Sequence, residues 1–444
     1  MNDSASSIDK SKGFTGSDFS VSEQSRHLAI EIFDELRQLS PSEIGVSRET
    51  YGPSETAAFE LIEKHATDAG LEVQWDSAKN MRIRLPGEAG DIPSVATGSH
   101  MDSVPEGGNY DGAAGVIAGL IILIDAKNQV KRIRPMDLYA LRGEESAWFG
   151  GPCYFGSRAM FGQLTENDFT SPHRDGEKTL ADCMRASGAD VDLLKTGARL
   201  IDPKSMHHWF ELHIEQGPIL IARNKPVGIV TGIRGNHRHR HVTCTGEAAH
   251  SGAVPRWLRH DAVMAMCDLM VRIDEHWRVL LEWGEDLVVT AGIVETNPKE
   301  HAVSRVPGEV SFALEYRSQD IKTLKSFEAL IQSECEDVGK RRGVEFDLGI
   351  PSLTPPAVMD PEVIQILRDA CDAHGATYEV MASGAGHDSS VFANMGIPSG
   401  MVFVRNDKGS HNPHEAMEFE DFFVATNVIG SAMLAAANDQ TENT

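Results

Sequence analysis

Short apolar or alternating runs at residues 71–75, 81–85, 94–97, 136–141 and 209–213, with a helix-length apolar run at 112–126 between them, constrain the fold of this chain more than any other feature. Strand-sized runs that alternate with helices call for an α/β sheet, because each sheet face must be covered by the connecting helices. Leu28, Ile32, Phe33 and Leu36 recur at helical spacing and predict a helix over 25–39. A second helix is expected to start at Ser54, a good N-cap, and to run toward Ala69. The first 20 residues, rich in Ser, Asp and Gly, are expected to form a mobile tail.

Ionisable residues sit where these runs end. Gly98-Ser99-His100-Met101-Asp102 follows one predicted strand, Gly143-Glu144-Glu145-Ser146 another, and His213 closes a third. The segment Ser410-His411-Asn412-Pro413 comes after an apolar run at 400–404. Sites in open α/β sheets gather outside the carboxyl ends of strands, so these distant segments can meet. Imidazole and carboxylate are ligands that borderline divalent ions accept.

Each of these residues also has a plain structural reading. A lone His is more often a satisfied structural residue, and a Glu pair is common on solvated helix faces. Here the pair ends an apolar run and is followed by Ser-Ala-Trp-Phe-Gly rather than by more charge. A two-metal hydrolase needs one carboxylate as ligand and another as proton acceptor, and adjacent residues can divide those tasks. Asp102, two residues after His100, is placed to fix the imidazole tautomer. Asp111, in Gly107-Gly108-Asn109-Tyr110-Asp111-Gly112, fits a helix N-cap and a carboxylate bridge between two ions equally well.

Between His213 and His411 the order changes. Strands are expected at 240–245, 288–294, 309–317 and 344–348, and helices at 260–280 and 321–341. This β-α-β-β-α-β order is the split βαβ plan of a ferredoxin-like α+β domain. The expected organisation is a catalytic domain with a central mixed sheet, in two parts at 1–226 and 350–444, interrupted by a small domain at 227–349. The run Arg234-Gly-Asn-His237-Arg238-His239-Arg240-His241 fits an anion or pH-sensing island, and fits alternation on a half-exposed strand at least as well.

A formal charge of -25 sets nucleic acid aside as a partner, since backbone binding depends on Lys and Arg. The N-terminus lacks the basic start and apolar stretch of a secretory signal, and no later run is expected to approach a membrane span. Six cysteines without close spacing, Cys153, Cys183, Cys244, Cys267, Cys335 and Cys371, fit reduced thiols and a cytoplasmic location.

Taken together, the motifs resemble the hydantoinase and carbamoylase branch of the M20-type metallopeptidase clan. The likeness runs from Gly45-Val46-Ser47-Arg48 through the His100, Glu144 and His213-Ile214-Glu215-Gln216-Gly217-Pro218 segments. It continues through Ala249-His250-Ser251-Gly252, Ser383-Gly384-Ala385-Gly386-His387-Asp388 and Ser410-His411-Asn412-Pro413. Only the N-terminal tail and residues 165–199 lack a matching motif. The resemblance implies a metallopeptidase-like fold and two divalent ions (Zn, Mn, Co or Ni), one held by His100, Asp111 and His213 and the other by Asp111, Glu145 and His411. It implies Glu144 as general base, with Asp102 supporting the ligands and His250 reaching the site of a neighbouring subunit, hence a homodimer. Gln216 and His387 would meet a ureido group and Arg317 a substrate carboxylate, although Arg317 also reads as a strand-end surface charge and His387 as a structural residue near a helix start. The wider clan usually has an acidic ligand where this chain has His213, so the amidase branch is favoured.

The implied activity is hydrolysis of a linear C–N bond in an N-carbamoyl-L-amino acid, giving the amino acid, ammonia and carbon dioxide. Allantoate hydrolysis is the nearest alternative, and N-acyl amino acid deacylation or dipeptide cleavage the next. Two departures bear on specificity: Ser304 stands at a substrate-contact position where the family usually has Asn, and residues 254–259 read Val-Pro-Arg-Trp-Leu-Arg where a Pro-Met pair is usual.

Overall fold

The computed structural model describes residues 19–88, 92–127, 132–151 and 153–439. Residues 1–18 of the expected tail lie outside them. Phe19, also assigned to that tail, is buried instead, with its ring against Gly430.

The chain divides into two compact units, one of residues 1–231 with 359–444 and one of Gly232–Val358. The first is mixed α/β. Its sheet runs in the order Glu72–Trp75, Met81–Arg84, Met136–Leu141, Ser94–His100, Met206–Ile214, Ser399–Val404, Val227–Ile233, and Tyr378–Ser383 pairs with the last of these. Met136–Leu141, Ser94–His100, Met206–Ile214 and Ser399–Val404 are mutually parallel, and Glu72–Trp75, Met81–Arg84 and Val227–Ile233 pair antiparallel. These parallel strands are buried along their whole length, as expected for strands covered on both faces. Helices Glu23–Leu39, Pro53–Asp68, Ala113–Ala126, Pro361–Ala373 and Phe419–Ala437 build the core on one face. The other face packs Tyr139 and Trp209 on Phe161 and Phe392, with the Trp209 and Phe392 rings stacked 3.6 Å apart.

Local chemistry moved several boundaries. The second helix begins at Pro53 behind Gly52, so Ser54 is not its N-cap; proline's fixed φ and missing N–H suit the first helical turn. His100 is the last residue of its strand rather than a residue beyond it. Phe419–Ala437 corrects the expectation that no run approaches a membrane span: its 19 residues are long and apolar enough, and most are buried in the core of this unit. Residues 165–199 contain three short helices, Glu166–Phe169, Leu180–Ala186 and Val191–Leu194.

In the second unit, a sheet ordered Glu345–Asp347, Gly235–Thr245, Glu309–Ser318, Val288–Glu295 is antiparallel throughout. Helices Ala262–Glu282 and Ile321–Arg342 cover it around Leu269, Phe312, Phe327 and Val338. Residues 235–241 of the basic island lie on the strand Gly235–Thr245. His237 and His239 are buried there, while Arg234 pairs with Asp286 at 2.6 Å and Arg238 with Glu315 at 2.5 Å, so internal carboxylates partner two of the island's three arginines.

Candidate metal centre

The carboxyl ends of the parallel strands share one edge, and the candidate ligands converge there. Register places His100 opposite Leu141, the residue from which the chain turns into Glu144 and Glu145, and His213 opposite Phe403. His213 Nε2 is 3.4 Å from His100 Nε2. Asp111 Oδ1 lies 3.1 Å from His213 Nε2 and 3.6 Å from His100 Nε2. On the other side, His411 Nε2 is 3.5 Å from Asp111 Oδ2 and 3.3 Å from Glu145 Oε1. Two three-residue groups, His100-Asp111-His213 and Asp111-Glu145-His411, therefore share one carboxylate. Glu144 Oε2 is 3.9 Å from His100 Nε2.

This donor set fits a pair of borderline divalent cations. Asp111 Oδ1 and Glu145 Oε1 are buried without a hydrogen-bond partner, a costly state that cations held by the two groups would relieve. Both imidazoles use Nδ1 elsewhere, His213 on the carbonyl of Ile214 at 2.9 Å and His100 on the carbonyl of Asp102 at 3.1 Å. A proton on each Nδ1 leaves the Nε2 lone pairs facing Asp111. A third group, Glu211-His213-His387, fits less well. Glu211 already accepts from Ser99 Oγ and from the Ser389 amide and hydroxyl, and His387 Nε2 is 2.9 Å from Ser383 Oγ.

Asp102 ties the base-bearing turn to the His100 strand. Its Oδ1 accepts from the Glu144 amide at 3.0 Å and lies 3.3 Å from His100 Nδ1, while Oδ2 accepts from the Glu145 amide at 3.1 Å and from Thr50 Oγ1 at 2.5 Å. Burial would raise this carboxyl, but His100 and these donors hold it below its ordinary value. Burial also acts to raise Asp111, yet contact with His100 and His213 keeps it well below the usual carboxylate range. Glu144 goes the other way. Burial pushes it well above the ordinary value, His100 opposes, and the charges of Glu145 and Asp388 add to the rise. A carboxyl so disposed is suited to taking up a proton and returning it.

Asp111 does not cap the helix Ala113–Ala126; Gly112 occupies that place with φ 67° and ψ -50°. The Asp111 carbonyl accepts from the Ala113 amide at 2.7 Å, which makes a γ-turn that lets the carboxylate face the imidazoles.

Of the expected substrate contacts, Gln216 and His387 lie beside this cluster. Gln216 Nε2 donates to Asp111 Oδ2 at 2.8 Å, and the His387 ring packs against His213 at 4.4 Å. His250, Ser304 and Arg317 belong to the other unit. There His250 pairs with Arg305, and the Ser251 amide donates to the Ser304 carbonyl, so His250 and Ser304 are neighbours. Arg317 stands near the far end of the strand Glu309–Ser318, beside Glu315 at 3.0 Å. A cavity of about 720 Å³ in that unit, lined by residues including Asn297, His301, Arg305 and Glu309, contains none of the clustered ligands.

Sequence reasoning missed Thr50, Glu211 and Glu415. Glu415 accepts from the Tyr110 and Asp111 amides, and Ser410 Oγ lies 2.6 Å from Glu415 Oε2 and 2.5 Å from Asp111 Oδ2, so its one hydroxyl proton serves one of the two carboxyl oxygens. Its position four residues after His411, and that of Glu211 two residues before His213 on one strand, were the available signals.

Residues 96–435 match the model of peptidase family M20/M25/M40. The N-carbamoyl-L-amino-acid amidohydrolase of Paenarthrobacter aurescens is 33% identical over 403 residues, covering 90% of this chain and 95% of that protein. The allantoate amidohydrolase of Escherichia coli K12 is 30% identical over 379 residues, covering 85% and 89%. The crystal structure of a hydantoinase/carbamoylase family amidase from Burkholderia multivorans superposes with a TM-score of 0.83 at 29% identity, covering 94% of this chain and 98% of that one. The chain is therefore a hydrolase of peptidase family M20/M25/M40, similar to the amidohydrolases of its hydantoinase/carbamoylase branch.

Proposed function

We propose that this protein hydrolyses a linear C–N bond of a small ureido acid, with an N-carbamoyl-L-amino acid as the preferred substrate class. The sharing of Asp111 between two His- and carboxylate-containing groups, with Glu144 beside them, carries the reading. In it His100, Asp111 and His213 hold one divalent ion, and Asp111, Glu145 and His411 a second, drawn from Zn, Mn, Co or Ni. When bound, such ions acidify a water and polarise the substrate carbonyl.

Glu144 accepts the proton of the attacking water as its oxygen bonds to the ureido carbon. It returns that proton to the departing nitrogen as the C–N bond breaks. Asp102 keeps Glu144 and His100 in register for this transfer. Gln216 Oε1 is buried without a partner, which suits an acceptor for a ureido N–H. His387 would line the same space. Burial pushes its imidazole well below the ordinary value. Arg317 would grip the substrate carboxylate, an arrangement to which a planar guanidinium is suited. Ser304 would replace an amide contact, and His250, contributed by a second copy in a homodimer, would donate toward the carbonyl oxygen. Free thiols at all six cysteines suit a reducing compartment, and we assign the protein to the cytoplasm.

Allantoate is the second reading, favoured by the similarity to the Escherichia coli amidohydrolase. Purified protein should carry two transition-metal ions per chain and release ammonia from N-carbamoyl amino acids faster than from allantoate, with no product from N-acetyl amino acids. Faster turnover of allantoate would transfer the assignment to it. Unchanged turnover by Glu144→Gln would overturn the mechanism.

A further inference from the structure

The turn that presents Glu144 is held by a second buried carboxylate, which no metal-binding motif includes. After the strand ends at Leu141, four successive amides are taken by side chains: Arg142 by Asn80 Oδ1 at 3.1 Å, Gly143 by Glu55 Oε1 at 3.0 Å, and Glu144 and Glu145 by Asp102. The carbonyls of Arg142, Gly143 and Glu144 accept from the Gly156, Phe155 and Tyr154 amides. Glu55 is fully buried in the first turn of helix Pro53–Asp68. Its Oε2 accepts from Arg142 Nη1 at 2.9 Å and from the Tyr51 amide at 2.7 Å. Arg142 is 1% exposed, stacks over Phe59 at 4.4 Å, and donates from Nε to the carbonyl of Lys79.

We infer that Glu55 and Arg142 are positioning residues for Glu144, an inference that rests on the proposed role of Glu144 as base. Gly143 has φ 65°, and the change of direction there sets where the next side chain points. Its amide has one acceptor, Glu55. Glu55 therefore fixes the turn from the helix side while Asp102 fixes it from the strand side. Thr50 and Tyr51 connect the two supports, the Thr50 hydroxyl on Asp102 and the Tyr51 amide on Glu55. Arg142 holds the Glu55 carboxylate in place. A buried ion pair is weak evidence of a stabilising role, because apolar residues of similar size often serve stability as well. Here the pair delivers an acceptor to one particular amide.

The test separates stability from positioning. The double variant Glu55→Leu with Arg142→Met removes both charges and the acceptor, whereas Glu55→Gln with Arg142→Met removes the charges and keeps an acceptor for Gly143. The Leu/Met protein should melt below the parent, because the Gly143 and Tyr51 amides lose their acceptor, but its folded fraction should retain metal content and KM while kcat per folded molecule falls on the order of tenfold to a hundredfold, as expected for a misplaced base. The Gln/Met protein should recover most of that loss. As a guard against misfolding of the doubles, Glu55→Asp keeps the pair but withdraws the carboxylate from Gly143, and should lower kcat at constant KM. Equal kcat in the Leu/Met and parent proteins, or loss of kcat only in proportion to lost folded protein in all three variants, would overturn the inference. A Glu144→Gln protein assayed alongside distinguishes the two claims. If it is active, the reading of Glu144 as base fails; if it is inactive while Leu/Met turns over like the parent, only the positioning claim fails.

Discussion

Replacing Gly112 by Ala should weaken the centre without substituting a ligand. The γ-turn conformation at Gly112, φ 67° and ψ -50°, is one that residues with a Cβ enter only under strain, at a cost of about 1–3 kcal/mol. An added Cβ would also lie 2.4–2.5 Å from Cε1, Nδ1 and Nε2 of His100. That ring cannot withdraw freely, because it is buried and Nδ1 is engaged with Asp102. Moving it breaks a hydrogen bond to a charged partner, about 1.5–3 kcal/mol more. The metal-free folded form bears the backbone strain as well, so about 1.5–3 kcal/mol falls on metal binding itself, and metal affinity should drop about tenfold to a hundredfold. Gly375→Ala supplies the control: its φ of +62° carries a similar backbone penalty, but nothing lies within 4 Å of the added Cβ. Metal per chain after dialysis against graded free zinc or manganese, together with melting temperature, would be measured for both variants. Metal affinity in Gly112→Ala equal to that of Gly375→Ala would refute the steric argument.

Asp102→Asn should lower kcat by about tenfold to a hundredfold and weaken metal retention, because an amide NH2 would face at least one of the donors that the carboxylate now accepts; steady-state kinetics and metal analysis check it. Burial depresses His208 from 6.5 to about 3, and nearby His207 adds to the effect. The unfolded chain therefore takes up this proton first, so stability is full above pH 6.5 and is lost toward pH 3 at about 1.4 kcal/mol per pH unit. His208→Gln should flatten that slope in urea titrations of metal-free protein between pH 4 and 7, and parallel curves for parent and variant would count against it. Trp209→Ala should cost about 3–5 kcal/mol by opening a cavity beside Phe392, read as a lower denaturation midpoint. Chelation should abolish turnover and lower the melting temperature, with both restored by a divalent transition metal, since a ligand bound only to the folded form stabilises it.

The sheet and the ligands at its edge were legible because their signals are local: an apolar run of strand length, then a His or a Glu pair. Apart from Asp102, two residues from His100, the supports of those ligands were not, because their signals lie far away in sequence. Glu55 reads as an acidic residue in the first turn of a helix, where the dipole alone explains it, and nothing nearby says that its partners are Arg142 and the amide of Gly143. Glu415 and Glu211 likewise serve amides and hydroxyls of remote segments. The local errors cluster at the same place. Asp111 looked like a helix cap, yet the γ-turn at Gly112 turns it toward the imidazoles; Tyr51, Tyr154, Gln216 and His411 take positive φ values that their residue types disfavour. Such conformations persist only where surrounding contacts over-determine them. Local rules therefore fail here for a physical reason: presenting six side chains from distant segments to one small volume requires backbone turns that those residues would not adopt alone, and buried carboxylates hold the turns at Tyr51, Asp111 and Gly143.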